Sequence, residues 1–311
     1  IITPMNTDWK LSRRKIALGI RATLIQVIRE FFLSRNYLEV ETPHRIPAPA
    51  PEAHIDAFPS GEWFLHTSPE ICMKRMLAAG YPKIFQICRC FRQHERGDLH
   101  LPEFTMLEWY RAGIDYRDLM EECEDLFLFL AGKMRGGTSM EYRGEKIDLE
   151  KPWQRISVKE ALARFATIPM AASLEKGLFE EILVRDIEPR LGRGKPTFLY
   201  DYPAALGALA RTKGEDGRLA ERFEIYLCGL EIANGFSELT DPDEQRRRFE
   251  GENLKRRSAG KGVCPLPEKF LESLRHLPES AGIALGVDRL SMIFCDASSI
   301  DEVVALTPEE L

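Results

Sequence analysis

The sequence predicts an α+β fold. Residues 85–111 and 222–236 each read as a pair of strands joined by a turn, and residues 11–34 repeat apolar side chains at helical spacing. Nearer the C-terminus, residues 282–292 read as strand, glycine turn and helix.

A chain of 311 residues allows one large or two modest domains and can bury a sizeable core. Its net charge of −6 argues against a general nucleic-acid-binding surface, which needs clustered positive charge. Seven cysteines, an odd count without a CxxC pair, are expected to be reduced thiols rather than a disulfide frame or zinc site, and Cys88-x-Cys90 is read as packing. There is no signal-peptide pattern and no apolar run long enough to span a bilayer, so the expected setting is soluble and cytoplasmic.

Residues 1–10 read as a poorly ordered lead-in. Ile16, Ile20, Leu24, Val27, Ile28, Phe31 and Phe32 then mark the helix of residues 11–34, followed by a short strand over 38–42 that Pro43 stops. Pro47, Pro49 and Pro51 make an extended loop that cannot join a central sheet. Ser68, Pro69 and Glu70 open the next helix as N-cap, first residue and first-turn acid. In the hairpin of residues 85–111, period two puts Gln86, Cys88, Cys90 and Arg92 on one face, and Phe104, Glu108 and Tyr110 on one face of the return arm. A guanidinium, a carboxylate, a phenol and a flat ring form either a solvated outer face or a site for an anionic ligand with a planar base.

Residues 113–196 are mostly helical in pattern, with helices expected over 118–134, 158–165 and 178–187. Residues 196–203 read as a strand ending at a proline. In the second hairpin a two-residue Cys228-Gly229 turn pairs Leu227 with Leu230 and Tyr226 with Glu231. Glu224 and Glu231 then become diagonal neighbours on one face, either solvated or bridged by a cation, for which Mg²⁺ holding phosphate oxygens is suited. Strict alternation places Glu238 opposite Glu231 unless Asn234-Gly235 forms a bulge. Residues 245–261 carry seven basic side chains against Glu250 and Glu252, read as a solvated helix face or a dock for an acidic macromolecule. Leu290, Ile293 and Phe294 are expected on the buried side of the last helix, with Gly286 letting backbone approach a ligand and Arg289 at the helix start.

The hairpin of residues 85–111 resembles motif 2 of the class II aminoacyl-tRNA synthetases, and Pro102-Glu-Phe-Thr-Met-Leu-Glu-Trp-Tyr110 resembles the lysine branch. Residues 11–43 resemble motif 1, and residues 282–292 resemble motif 3. The resemblance implies a class II catalytic core, an antiparallel β-sheet flanked by helices, in one domain over residues 1–311 that lacks the N-terminal anticodon-binding OB-fold. Its motif 1 implies a homodimer. It implies ATP contacts at Arg92, His100, Phe104, Glu224 and Arg289. The family reads Phe-Arg-x-Glu where this chain has His94 followed by Glu95, and both become candidate adenine contacts. Amino-acid contacts are implied at Ser68, Glu70, Glu108, Tyr110, Asn234, Glu238 and Ala284, and metal ligation at Glu224 and Glu231. Lysyl-tRNA synthetases carry Gly where this chain has Ala284.

The missing domain, the acidity and Ala284 together resemble the elongation factor P–(R)-β-lysine ligases, truncated paralogues of lysyl-tRNA synthetase. That implies ATP- and Mg²⁺-dependent activation of (R)-β-lysine and its transfer to a lysine side chain of elongation factor P, with no stable tRNA binding. Two other readings share the motifs: a truncated lysine-activating enzyme that charges tRNA, and a non-catalytic regulatory protein. The last is expected to lose phosphate-binding arginines or metal carboxylates, and Arg92, Arg289, Glu224 and Glu231 are all present.

Overall fold

The structure, a computed structural model, describes residues 9–166, 168–207, 209–214 and 217–311. The lead-in expected over residues 1–10 falls, up to residue 8, outside the described residues. The helix expected over 11–34 is split at Arg14 into a short turn, Trp9–Arg13, and α1, Lys15–Ser34. Leu24, Val27, Ile28, Phe31 and Phe32 form its buried stripe, whereas Ile16 projects to solvent at 77% exposure. Ala17, one position on, takes the inward place and packs on a cluster near the C-terminus.

Strand β1 is only Leu38–Glu39, and α2 spans Glu70–Ala78. The Ser68 hydroxyl accepts a hydrogen bond from the Glu70 N–H at 3.0 Å, in keeping with the expected cap, although α2 starts at Glu70, one place later than expected, with Pro69 as its flanking residue. The motif 2 hairpin is β2, Lys83–Phe91, and β3, Glu103–Ala112. Its register pairs Gln86 with Glu108 and Cys90 with Phe104, which puts the two predicted faces on one side of the sheet. Helix α3, Tyr116–Arg135, starts at Asp115, whose carboxylate accepts from Arg117 and Asp118 N–H, and ends at Gly136 in the left-handed region.

Strand β4, Gln154–Ser157, leads into the predicted helix Val158–Phe165. The helix expected over 178–187 is a single α turn, Phe179–Ile182, that widens into a π segment, Leu183–Ile187. Strand β5 is Thr197–Pro203; β6, Leu219–Leu227, and β7, Leu230–Ser237, are joined by Cys228 and Gly229, both at positive φ, as a type I′ turn requires. Helix α4 spans Pro242–Ser258, β8 Ser280–Gly286 and α5 Val287–Cys295.

The sheet runs β1-β2-β3-β8-β7-β6-β5-β4, with the two-residue strand Thr212–Lys213 also pairing with β6. Its interior is antiparallel, as expected, but both ends are parallel: β1 lies parallel to β2 and β4 to β5. Both end pairs join strands separated by helical crossovers, which allow the parallel sense a tight turn forbids. Helices α1, α3 and α5 cover one face, where Phe31, Phe127, Leu290 and Phe294 are fully buried with Trp109 of β3. Arg21 of α1 ties this layer together through an ion pair to Asp288 at 2.6 Å and a hydrogen bond to Thr105 at 2.8 Å. Asp288 also accepts from the Thr105 N–H at 2.6 Å, fixing the start of α5 against β3.

The bulge in β7 exists, but not at Asn234-Gly235. It falls at Ile232: Tyr226 pairs with Glu231 and Ile225 with Ala233, leaving one extra residue between them. Gly235 sits in regular register with Phe223 and Ile283, and a Cβ there would lie 2.7 Å from the Phe223 ring. Close packing, not a bulge, calls for that glycine. The shifted bulge still puts Glu231, Asn234 and Phe236 on one face.

On α4 most of the basic run is paired within the chain, although Arg247, Lys255 and Arg257 are exposed. Arg246 pairs with Glu268, Arg247 and Arg248 with Glu244, and Lys255 with Glu252. Arg256, only 6% exposed, donates to the Glu52 and Ile55 carbonyls and pairs with Asp56, which Lys261 also holds.

Candidate active site

One cleft of about 400 Å³ opens on the sheet face opposite α1, α3 and α5, lined by β3, β7, β8, the start of α2, the loop at Glu52 and Ile55, and the β2–β3 connection. All the predicted site residues line it except His94, Glu224 and Glu238. Along β3, Phe104 and Tyr110 stand six residues apart, about 20 Å at the usual rise, which gives the cleft two ends.

At one end Glu108 is 1% exposed and accepts from the Ser68 hydroxyl at 2.6 Å and the Tyr110 hydroxyl at 2.8 Å. Burial, and then the nearby Glu70, push its carboxyl up to about 8 against those two donors. Glu238 lies just behind the wall, where a Cβ on Gly282 would meet its Oε1 at 2.8 Å and the Tyr110 ring at 2.2 Å. Gly282 is therefore needed for the close approach. Burial raises Glu238 to about 8 although Lys74 draws it down.

Lys74 is the residue that sequence reasoning missed here. Its ammonium is 2% exposed, lies 2.5 Å from Glu70 Oε1, and forms an ion pair with Glu238 on its other side. Burial opposes that charge, but Glu238 and Glu70 outweigh it and hold the ammonium above its ordinary value. The available signal was its position four residues after Glu70 on one helix face.

At the other end the Arg92 guanidinium stacks 5.1 Å from the Phe104 ring centre, with Nε 3.3 Å from the Thr67 carbonyl and Nη1 3.9 Å from Glu95. His94 sits at φ 65 and does not line the cleft; Glu95 does. Arg289 donates to the Glu231 carbonyl at 2.7 Å and to His100 Nε2 at 2.5 Å, so that nitrogen accepts and the imidazole is neutral. Burial and then Arg289 lower the His100 pKa accordingly.

Glu224 sits behind Glu231, its carboxylate accepting from Arg222 at 2.6 Å, Tyr202 at 2.5 Å and Tyr226 at 2.6 Å. Burial and then Glu231 raise its pKa. Glu188, also missed, joins them: burial, Glu224 and Glu231 push it to about 7, and its Oε1 lies 3.2 Å from the Tyr226 hydroxyl. Two carboxylates as close as Glu224 and Glu231, each with lone pairs to spare, suit a divalent cation with oxygen ligands, so this pair fits Mg²⁺.

Among the described residues His66, Cys88 and Cys90 also bring ligand-type atoms within 4.8 Å. His66 Nε2 lies 2.7 Å from the Arg89 carbonyl, so that nitrogen carries its hydrogen, and the two thiols pack with Met106. This is the packing the sequence suggested.

The family model for class II tRNA synthetases (D, K and N) matches residues 6–310. Among curated relatives, the elongation factor P–(R)-β-lysine ligase of Pectobacterium carotovorum is 40% identical over 97% of this chain and 98% of its own length. The ligase of the same name from Vibrio atlanticus is 38% identical over the same shares, and that of Salmonella gallinarum 40% identical over 96% and 97%. No helix among the described residues is long and apolar enough to cross a membrane. The chain belongs to the elongation factor P–(R)-β-lysine ligase family of class II tRNA synthetases.

Proposed function

We propose that the protein uses ATP to activate (R)-β-lysine as an aminoacyl adenylate and transfers the β-lysyl group to a lysine side chain of elongation factor P. The relatives' names support the acceptor and the amino acid. The observation that carries the reading is a single cleft with an arginine-lined, ring-bearing end and a carboxylate-lined end.

Arg92 and Arg289 flank the position for the triphosphate, where their donors neutralise charge as the substrate carboxylate attacks the α-phosphorus and pyrophosphate leaves. Phe104 offers a face to the adenine, and Glu95, one residue beyond the position of the family's glutamate, lines the cleft as the candidate contact for its amino group. Glu224 and Glu231 would hold Mg²⁺, which supplies charge neutralisation between phosphates. Glu70, Glu108 and Glu238, with Lys74 as an internal partner, carry a net two negative charges once all three are ionised, the form that a substrate with two ammonium groups favours. No protein nucleophile is needed. Exposed Ile16, Leu33 and Leu38 on α1 and β1 give a homodimer an apolar surface, and sedimentation would read that state directly.

Labelled (R)-β-lysine and ATP, offered elongation factor P and lysine tRNA in separate reactions, test the acceptor. Label is expected in the protein; label in the tRNA instead would replace this reading with aminoacylation.

A further inference from the structure

Transfer to an amine sets a requirement that adenylate formation does not. An alkylamine near neutral pH is protonated, and its lone pair must be freed before it can attack. Most cleft carboxylates are already engaged: Glu70 holds Lys74, Glu108 holds two hydroxyls, Glu95 neighbours Arg92 and Glu231 neighbours Arg289. Glu52 is not. It lines the cleft from the proline-rich loop, half-buried, and among the described residues its carboxylate makes no hydrogen bond or ion pair.

The loop is fixed rather than loosely draped. Arg256 donates to the Glu52 carbonyl at 2.9 Å, Glu252 accepts from the Ala53 N–H at 2.8 Å, and Lys261 donates to the Ala53 carbonyl at 3.1 Å. The same loop is tied to the residue after Arg92, the Asp56 carbonyl accepting from the Gln93 N–H at 2.7 Å. The groups acting on the Glu52 carboxyl are Arg92 after β2, Glu70 on α2, Glu252 on α4 and Arg222 on β6.

We propose that Glu52 is the general base that deprotonates the acceptor amine during transfer. This rests on the transfer reading above. The acceptor ammonium loses one proton to the Glu52 carboxylate, and the freed lone pair forms the C–N bond. The C–O bond to AMP breaks with its electron pair staying on the phosphate, and the proton released as the amide forms leaves on that phosphate. Burial raises the Glu52 carboxyl to about 7, with Arg92 lowering it and Glu70 raising it, and such a value matches base catalysis near neutrality.

Glu52→Gln and Glu52→Asp, assayed for pyrophosphate exchange and for single-turnover transfer from enzyme-bound adenylate to elongation factor P, test this. Glu52→Gln is expected to lower the ratio of transfer to exchange by about 10²–10⁴, the usual contribution of a general base. The acidic limb of the wild-type transfer profile, centred near 7, should vanish in Glu52→Gln and persist in Glu52→Asp at a reduced rate. An unchanged ratio and limb in Glu52→Gln, or exchange falling as far as transfer, overturns the assignment. Wild-type protein that activates no lysine isomer would instead sink the transfer reading itself.

Discussion

Lys74 and Glu238 form an ion pair sealed from solvent, the lysine 2% exposed and the glutamate 1%. The same ammonium holds Glu70, so one internal cation fixes two of the three carboxylates at the amino-acid end of the cleft. Removing one partner of a buried pair costs about 3–5 kcal/mol because the other charge is left unpaired. Lys74→Met should therefore melt well below the wild type. Its KM for the amino acid should rise at least about tenfold, with a smaller change in the KM for ATP. Equal changes in both would make Lys74 a packing residue only.

Gly282→Ala tests the wall between Tyr110 and Glu238. The added methyl would meet the Tyr110 ring at 2.2 Å and Glu238 Oε1 at 2.8 Å, so both side chains must move. Overpacking of this kind costs about 1–3 kcal/mol. Substrate titrations should show weakened amino-acid binding, with ATP binding affected less. A variant with wild-type melting and wild-type amino-acid KM would contradict the arrangement.

Stability should depend on pH through the same carboxylates. Glu108 and Glu238 are raised to about 8 in the fold, from an ordinary value of 4.5. Between those values the folded chain binds more protons than the unfolded one, so stability falls as pH rises from 4.5 to about 8 and then levels off. Lys74, held above its ordinary value of 10.5, adds no slope in that window. Urea midpoints across this range should fall for the wild type and less steeply for Glu238→Gln. A midpoint that rises with pH would contradict the environments described.

Ala284 lies opposite Glu108 on β3 and opposite Asn234 on β7, so its methyl stands between two predicted amino-acid contacts. One carbon of fit is worth roughly 1–3 kcal/mol. Ala284→Gly is expected to shift the ratio of adenylation rates toward α-lysine by about tenfold or more. An unchanged ratio would remove Ala284 from the selectivity of the pocket.

The motif-bearing elements were legible because local patterns fix them. Period two in the first hairpin predicted that Gln86, Cys88 and Cys90 share a side with Phe104, Glu108 and Tyr110, and the register does so. The Cys228-Gly229 turn set the second register in the same way. What escaped was what depends on distant packing. Gly235 looked like a bulge but is small because Phe223 leans on it, and the bulge sits at Ile232, which nothing local marks. The parallel ends of the sheet arise from long crossovers. Lys74 and Glu52 look like surface charges in sequence; only the fold encloses one and turns the other into the cleft. The basic run read as a candidate dock is mostly neutralised by Glu244, Glu252, Glu268 and Asp56.

The most direct measurement is ATP–pyrophosphate exchange with α-lysine, (R)-β-lysine and (S)-β-lysine at equal concentrations. The cleft as described predicts magnesium-dependent exchange that is fastest with (R)-β-lysine and nearly abolished by Arg92→Ala or Arg289→Ala. No exchange with any of the three, or exchange that survives loss of both arginines, would contradict it.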